Sequence, residues 1–377
     1  MDSVLALLRD LVAIDSVNPT LAPGGAGEGA VAQHLAGVLR AGGLDVQVSE
    51  AERGRPNVVA TLEGRSPGRT LLFCGHLDTV GVAAMDQPFT PVERDGRLYG
   101  RGTQDMKGGV AAMADAACQL ARTGGLARGR VVVAGVADEE YGSLGARALV
   151  RDLRADAAVV TEPTDLAIGI GHKGFAAIEV VTRGVAAHGS LPEVGRDAIL
   201  RMGRVLGALD QFERTLRAGP AHPRLGRPSL HASTIAGGTE WSRYPDACVL
   251  RLERRLVAGE DAAEALREVT AILEALRRDE GEFEGEAMLV FSGAPYEIDA
   301  LAELPQTLAR VCAAAGHAVP FAALPFWTDA AILGGAGIPS VLFGPGGAGM
   351  HTGVEYVETA QVVACRDRLV ELAREYC

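Results

Sequence analysis

Apolar residues near the start of the chain recur at helical spacing. Leu5, Leu8, Leu11 and Val12 fall on one face, which predicts an amphipathic helix that ends before Pro19. The pattern then changes to short apolar runs of β type at 57–62, 70–74, 130–136, 157–161 and 340–343. Helical patterns separate several of them, notably 108–123, stopped by Gly124 and Gly125, and 145–153. Strands that alternate with helices predict an α/β layer with a largely parallel sheet.

The middle of the chain departs from this alternation. A strand over 175–182, a helix over 197–216, strands over 229–235 and 247–256, a helix over 261–277 and a strand over 286–291 follow in turn. The order βαββαβ is ferredoxin-like, a two-layer unit with a core of its own. The α/β pattern resumes with a helix over 304–315 and closes with one over 359–375. The expected organisation is a discontinuous α/β domain, residues 1–174 and 295–377, with a smaller domain, residues 175–294, inserted in it.

Open α/β sheets bind ligands beyond the carboxyl ends of their strands, so the residues after each predicted strand hold the candidate chemistry. His76 and Asp78 follow the run at 70–74, and Asp138, Glu139 and Glu140 follow 130–136. Glu162 follows 157–161, and a glycine-rich loop ending in Met350-His351 follows 340–343. Asp105 stands just before the helix at 108–123. Singly, each is an ordinary surface pair, turn or helix cap. Together they bring imidazole and carboxylate, without thiolate, to one sheet edge. That donor set suits Zn²⁺, with Mn²⁺ or Co²⁺ able to substitute. It is large enough for two ions that share one carboxylate.

Composition narrows the classes. The 377 residues are 48% hydrophobic and 22% charged, enough for a sizeable core. Lys and Arg number 36 against 48 Asp and Glu, a formal charge of −12, which argues against nucleic acid or an anionic membrane as partner. Only Lys107 and Lys173 are lysines. The six cysteines show no C-x-x-C pairing and read as free thiols of a reducing compartment. Residues 1–10 lack the basic start of a secretory signal, and no apolar run approaches a membrane span, so a cytoplasmic protein is expected.

An ordered set of motifs gives a specific resemblance: HLDTV at 76–80, GRGTQDMKGG at 100–109, DEE at 138–140, TEPT at 161–164, AAHGS at 186–190, ERRLVAGE at 253–260, TDA at 328–330, and GPG with MHTGVEYV within 344–357. The chain resembles the dinuclear-zinc family of acetylornithine deacetylase, succinyl-diaminopimelate desuccinylase, aminoacylase and the glutamate carboxypeptidases. The resemblance implies a zinc-dependent amidohydrolase that cleaves a small N-acyl amino acid or dipeptide with two zinc ions per subunit. His76, Asp105 and Glu162 would hold one ion; Asp105, Glu140 and His351 would hold the other. Glu139 would be the general base that takes a proton from the attacking water and returns it to the leaving amine. Asp78 would orient the His76 imidazole. The inserted domain would be a lid and a homodimer contact, with His188 polarising the scissile carbonyl, usually in the partner subunit's site. Arg255 would meet the substrate carboxylate, helped by N–H groups of Gly346 and Gly347; Arg254, on the opposite strand face, is expected in solvent.

The chain departs from the family pattern at Trp241–Asp246, at Val354 and at Val257-Ala258-Gly259, none of them an implied ligand. These leave open the acyl group, the amino acid, and the choice between a deacylase and a dipeptidase or carboxypeptidase of the same family. A metal-free binding or regulatory relative would lack a ligand or the base, and none is missing. The two G-x-G-x-x-G matches, at 169–174 and 344–349, fit a dinucleotide turn poorly: a strand pattern follows the first, and Pro345 and His351 spoil the second. No G-x-S-x-G elbow supports a serine hydrolase.

Overall fold

Four of the five predicted β runs lie side by side and parallel in the chain's larger sheet. The computed structural model describes residues 2–82 and 84–377. Arg130–Val136, Thr70–His76, Ala157–Val160 and Ser340–Leu342 are neighbours in that order. Their side chains are buried almost throughout, as expected for parallel strands covered on both faces. The helix Gly108–Arg122 links the first two of these strands in sequence, and Leu144–Asp152 links the next pair.

The sheet is mixed rather than largely parallel. Arg55–Glu63 runs antiparallel to Arg130–Val136, and Asp45–Glu52 antiparallel to Arg55–Glu63. On the other side, Ile168–His172 pairs antiparallel with Ser340–Leu342. Asp45–Glu52 escaped the sequence because half of it faces solvent and its residues are mostly polar. The helix Gly29–Ala41 was also missed; its alanines and glycines blur the apolar stripe of Val31, Leu35 and Leu39. A small four-stranded sheet, Gly347–Ala348, Tyr356–Glu358, Arg97–Tyr99 and Val92–Arg94, has strands too short to show any periodicity.

The chain divides into two units, one of Met1–Ile170, Ile298–Ala322 and Thr328–Cys377, the other of Gly171–Glu297 and Ala323–Trp327. Residues 323–327 thus join the second unit, where the sequence places them in the resumed α/β part.

The second unit has the ferredoxin-like order. Its four-stranded antiparallel sheet runs Ser229–Gly237, Ala247–Leu256, Gly174–Arg183, Gly285–Gly293. Helices Ala198–Ala218 and Ala262–Asp279 cover one face around Ile178, Val180, Leu250, Leu252, Val205 and Val269. Both helices start at aspartates, Asp197 and Asp261, whose carboxylates accept from the N–H groups of Leu200 and Glu264.

Arg254 corrects the sequence reading. Alternation along Ala247–Leu256 turns Cys248, Leu250, Leu252 and Arg254 toward the helices. Arg254 is only 1% exposed, 2.9 Å from Glu260 and 3.2 Å from Glu268. Truncating one partner of a buried pair strands the others. Arg254→Met is therefore expected to destabilise the protein by about 3 kcal/mol, the low end for buried pairs because both carboxylates stay partly exposed. A denaturant midpoint equal to wild type would show that the pair adds nothing.

Candidate metal centre

Three adjacent parallel strands end on the same edge of the larger sheet, and each delivers a donor there. His76 closes Thr70–His76, Glu139 and Glu140 follow Arg130–Val136, and Glu162 follows Ala157–Val160. The segment before the helix Gly108–Arg122 adds Asp105, joined to Met106 by a cis peptide. That helix can start so close to the strands only because residue 109 is glycine: a Cβ there would lie 1.9 Å from the Thr161 carbonyl oxygen. His351 comes from the loop after Ser340–Leu342.

The donors meet. The two oxygens of Asp105 face two different imidazoles, Oδ1 at 3.1 Å from His76 Nε2 and Oδ2 at 3.2 Å from His351 Nε2. His351 Nε2 is also 3.1 Å from Glu140 Oε2, and Glu139 Oε2 is 4.0 Å from His76 Nε2. Donor atoms of His76, Asp105 and Glu140 lie within 4.8 Å of one another, as do those of His76, Glu139 and Glu162. Glu139, expected to act as base only, therefore stands inside the donor cluster.

Asp78 and several buried residues that the sequence left unassigned, Asn18, Glu28 and Arg55, hold this cluster. The Asp78 carboxylate accepts from the backbone N–H groups of Glu139 (3.1 Å) and Glu140 (3.2 Å) and from Asn18 Nδ2 (2.8 Å). The ring of His76 is instead met by the main-chain oxygen of Asp78, 2.9 Å from Nδ1, with the carboxylate at 3.7 Å. Asn18 also donates to Asp138 Oδ1 at 2.9 Å, as does Arg55 Nη2 at 2.8 Å, and Arg55 forks onto Glu28 at 2.7 and 2.6 Å. All are buried. Asn18, Glu28 and Arg55 come from three unrelated stretches, so no spacing in the sequence marks them. Asp329, from the TDA motif, is another buried carboxylate, and its charge is felt at Glu139 and Glu162.

The electrostatics call for a cation. Burial raises the proton affinity of Glu139 and Glu162 well above the ordinary carboxylate range, and that of Glu140 as well. Burial also acts to raise Asp105, but the hydrogen bonds of His351 and His76 outweigh it and leave its pKa low. The hydrogen bonds of His351 to Asp105 and Glu140 lift its imidazole from 6.5 to about 10. Among the described residues no Lys or Arg side chain bonds to these donors. Glu140 Oε1 is buried without a hydrogen-bond partner. Four carboxylates and two imidazoles, with one buried oxygen left over, fit two divalent ions of borderline character.

The remaining expected residues are Gly346, Gly347, His188 and Arg255. Gly346 already donates its N–H to Gln361 Oε1 at 2.7 Å, so that group is engaged within the fold. Gly347 pairs with Val357 in the small sheet. His188 and Arg255 belong to the second unit. His188 is exposed, with Nδ1 2.8 Å from Ser190 Oγ. Arg255 is 2.7 Å from Glu253 and lies over the Phe175 ring, 5.9 Å from its centroid. Among the described residues no helix is long and apolar enough to cross a membrane.

Comparison with known proteins points to one family. Residues 72–375 match peptidase family M20/M25/M40. An acetylornithine deacetylase of Myxococcus xanthus is 32% identical over 328 residues, 85% of this chain and 84% of that one. An acetylornithine deacetylase of Proteus mirabilis is 29% identical over 392 residues, covering 100% of this chain and 97% of the relative. The fold is shared with an aminopeptidase PepT from Bacillus cereus, at TM-score 0.81 and 19% identity, covering 99% of this chain and 98% of that one. It is shared too with an M20 family metallo-carboxypeptidase from Sulfolobus solfataricus, at TM-score 0.79 and 18% identity, covering 100% and 99%.

Proposed function

The chain belongs to peptidase family M20/M25/M40 and is a metal-dependent amidohydrolase, and from that premise we propose that it removes the acyl group from a small N-acyl amino acid, as an acetylornithine deacetylase does. The observation that carries this reading is Asp105, whose two oxygens face the imidazoles of His76 and His351 with Glu140 alongside. In this reading His76, Asp105 and Glu162 hold one zinc ion, and Asp105, Glu140 and His351 hold the other. Bound there, the ions supply Lewis acidity toward the scissile carbonyl and toward water.

The chain's own side chains do the rest. Glu139 is not needed as a ligand in this arrangement, and its place beside His76 and Glu162 leaves its carboxylate to act as the base. It accepts a proton from the attacking water and passes it to the leaving nitrogen. Asp78 holds the Glu139–Glu140 backbone so that one carboxylate serves as base and its neighbour as ligand. His188 is assigned to the carbonyl oxygen and Arg255 to the substrate carboxylate, in a homodimer of the cytoplasm.

A panel of N-acetyl, N-succinyl and N-formyl amino acids and dipeptides, assayed with Zn²⁺ or Co²⁺, tests the reading. Hydrolysis of dipeptides alone would replace the deacylase with a peptidase. Arg255→Ala is expected to lower kcat/KM on free N-acyl amino acids about 30- to 4,000-fold, the typical worth of about 2–5 kcal/mol for a desolvated charge pair. The loss should shrink sharply on substrates whose α-carboxylate is blocked as an amide. Equal losses on both would remove the carboxylate from Arg255.

A further inference from the structure

Asp105 and His351 come from loops far apart in sequence, yet one buried carboxylate ties those loops together. Glu355 is 1% exposed, as is Arg101. Glu355 Oε2 accepts from Arg101 Nη1 at 2.6 Å and from the Gly102 N–H at 3.0 Å. Its Oε1 accepts from the N–H groups of Gln104 at 2.9 Å and Asp105 at 3.1 Å. Two further bonds return across the gap: Arg101 Nη2 donates to the Thr352 carbonyl at 2.8 Å, and Met350 N–H donates to Gln104 Oε1 at 3.0 Å. The small sheet joins the chain beside the same two loops, with Tyr99 opposite Tyr356.

We propose that Glu355 is a positioning residue, which with Arg101 and Gln104 fixes the loop bearing Asp105 against the loop bearing His351 and so presets the separation of the metal donors. Both Glu355 oxygens are occupied by N–H donors, so it is not itself a ligand. Its four bonds include the backbone N–H of Asp105, which fixes where that side chain leaves the main chain. A carboxylate that must face two imidazoles at once tolerates little drift, because rotation toward one takes an oxygen from the other. Partners that orient metal-binding side chains in this way are typically worth about 10- to 100-fold in metal affinity.

The inference rests on the metal-centre reading above, and the experiment separates the two. The metal-free protein and its Glu355→Gln and Gln104→Leu variants are titrated with Zn²⁺ and Co²⁺ against a chelating dye. Amide hydrogen exchange of residues 102–105 is followed without metal, and unfolding midpoints are measured alongside. Gln at 355 turns an N–H₂ group toward backbone N–H donors, and Leu at 104 removes the side-chain amide that accepts from Met350 while keeping the backbone N–H that Glu355 accepts. Glu355→Gln is expected to weaken metal binding by about 10- to 100-fold and to speed exchange at Gly102, Gln104 and Asp105. Gln104→Leu is expected to weaken metal binding by a smaller factor and to leave the unfolding midpoint near wild type. Wild-type protein that binds no metal would overturn the metal-centre reading itself. Wild-type protein that binds metal, with folded variants of equal affinity and unchanged exchange, would overturn the positioning role alone. If Glu355→Gln does not fold, Gln104→Leu decides, and an unchanged affinity there overturns the proposal.

Discussion

Glu139→Gln is expected to lower kcat by roughly 10²–10⁴, the usual worth of a positioned general base, while the protein keeps its metal. The substitution preserves volume and the backbone N–H that Asp78 accepts, so the Glu139–Glu140 turn should stay in place. What it removes is the group that takes and returns the proton. Elemental analysis beside the kinetics distinguishes the two neighbours, because Glu140, at 3.1 Å from His351 Nε2, is the one assigned as ligand. A Glu139→Gln protein that lost metal along with activity would make Glu139 a ligand, in line with its place beside His76 and Glu162. Full activity would exclude it as base.

Stripping divalent ions with a chelator is expected to abolish hydrolysis, and added Zn²⁺ or Co²⁺ to restore it. Among the described residues the chain places no Lys or Arg against these donors. Metal retention should also depend on pH, with a definite sign. In the metal-free protein the hydrogen bonds to Asp105 and Glu140 raise the His351 imidazole to about 10, so it carries a proton at neutral pH. A bound ion needs that nitrogen bare, so binding must expel the proton. Affinity should therefore rise with pH, by about tenfold per pH unit for each proton released, and level off above the raised pKa. Calorimetry in buffers of different ionisation enthalpy counts the protons. Equal affinity at about pH 6 and about pH 8, with no proton release, would contradict this linkage.

Much of this was legible in the amino-acid order because the signals are local. A buried parallel strand is an unbroken apolar run, so 130–136 was read to the residue and 70–74 fell two short of the observed end at His76. The ferredoxin-like unit was legible because its two central strands alternate in burial and each helix carries its own aspartate cap. Strand ends in an α/β sheet converge whatever the intervening loops, so His76, Glu139, Glu140 and Glu162 could be placed at one edge, whereas the ligand set His76, Asp105, Glu140, Glu162 and His351 is what the family resemblance implies.

Tertiary structure alone decided the rest, wherever a property belongs to a pair of distant residues. Arg254 looks like any strand arginine until the helix carrying Glu268 is packed beside it. Asn18, Glu28 and Arg55 acquire a role only when three separate segments close around Asp138. Gly346 could be offered to a substrate on paper, but Gln361, fifteen residues on, already holds its N–H. Glu355 could be read from its motif but not its use, since its four N–H partners lie some 250 residues earlier. A periodic pattern records what one segment buries, whereas a hydrogen bond between remote segments leaves no period in either, and so it emerges only once the chain has folded.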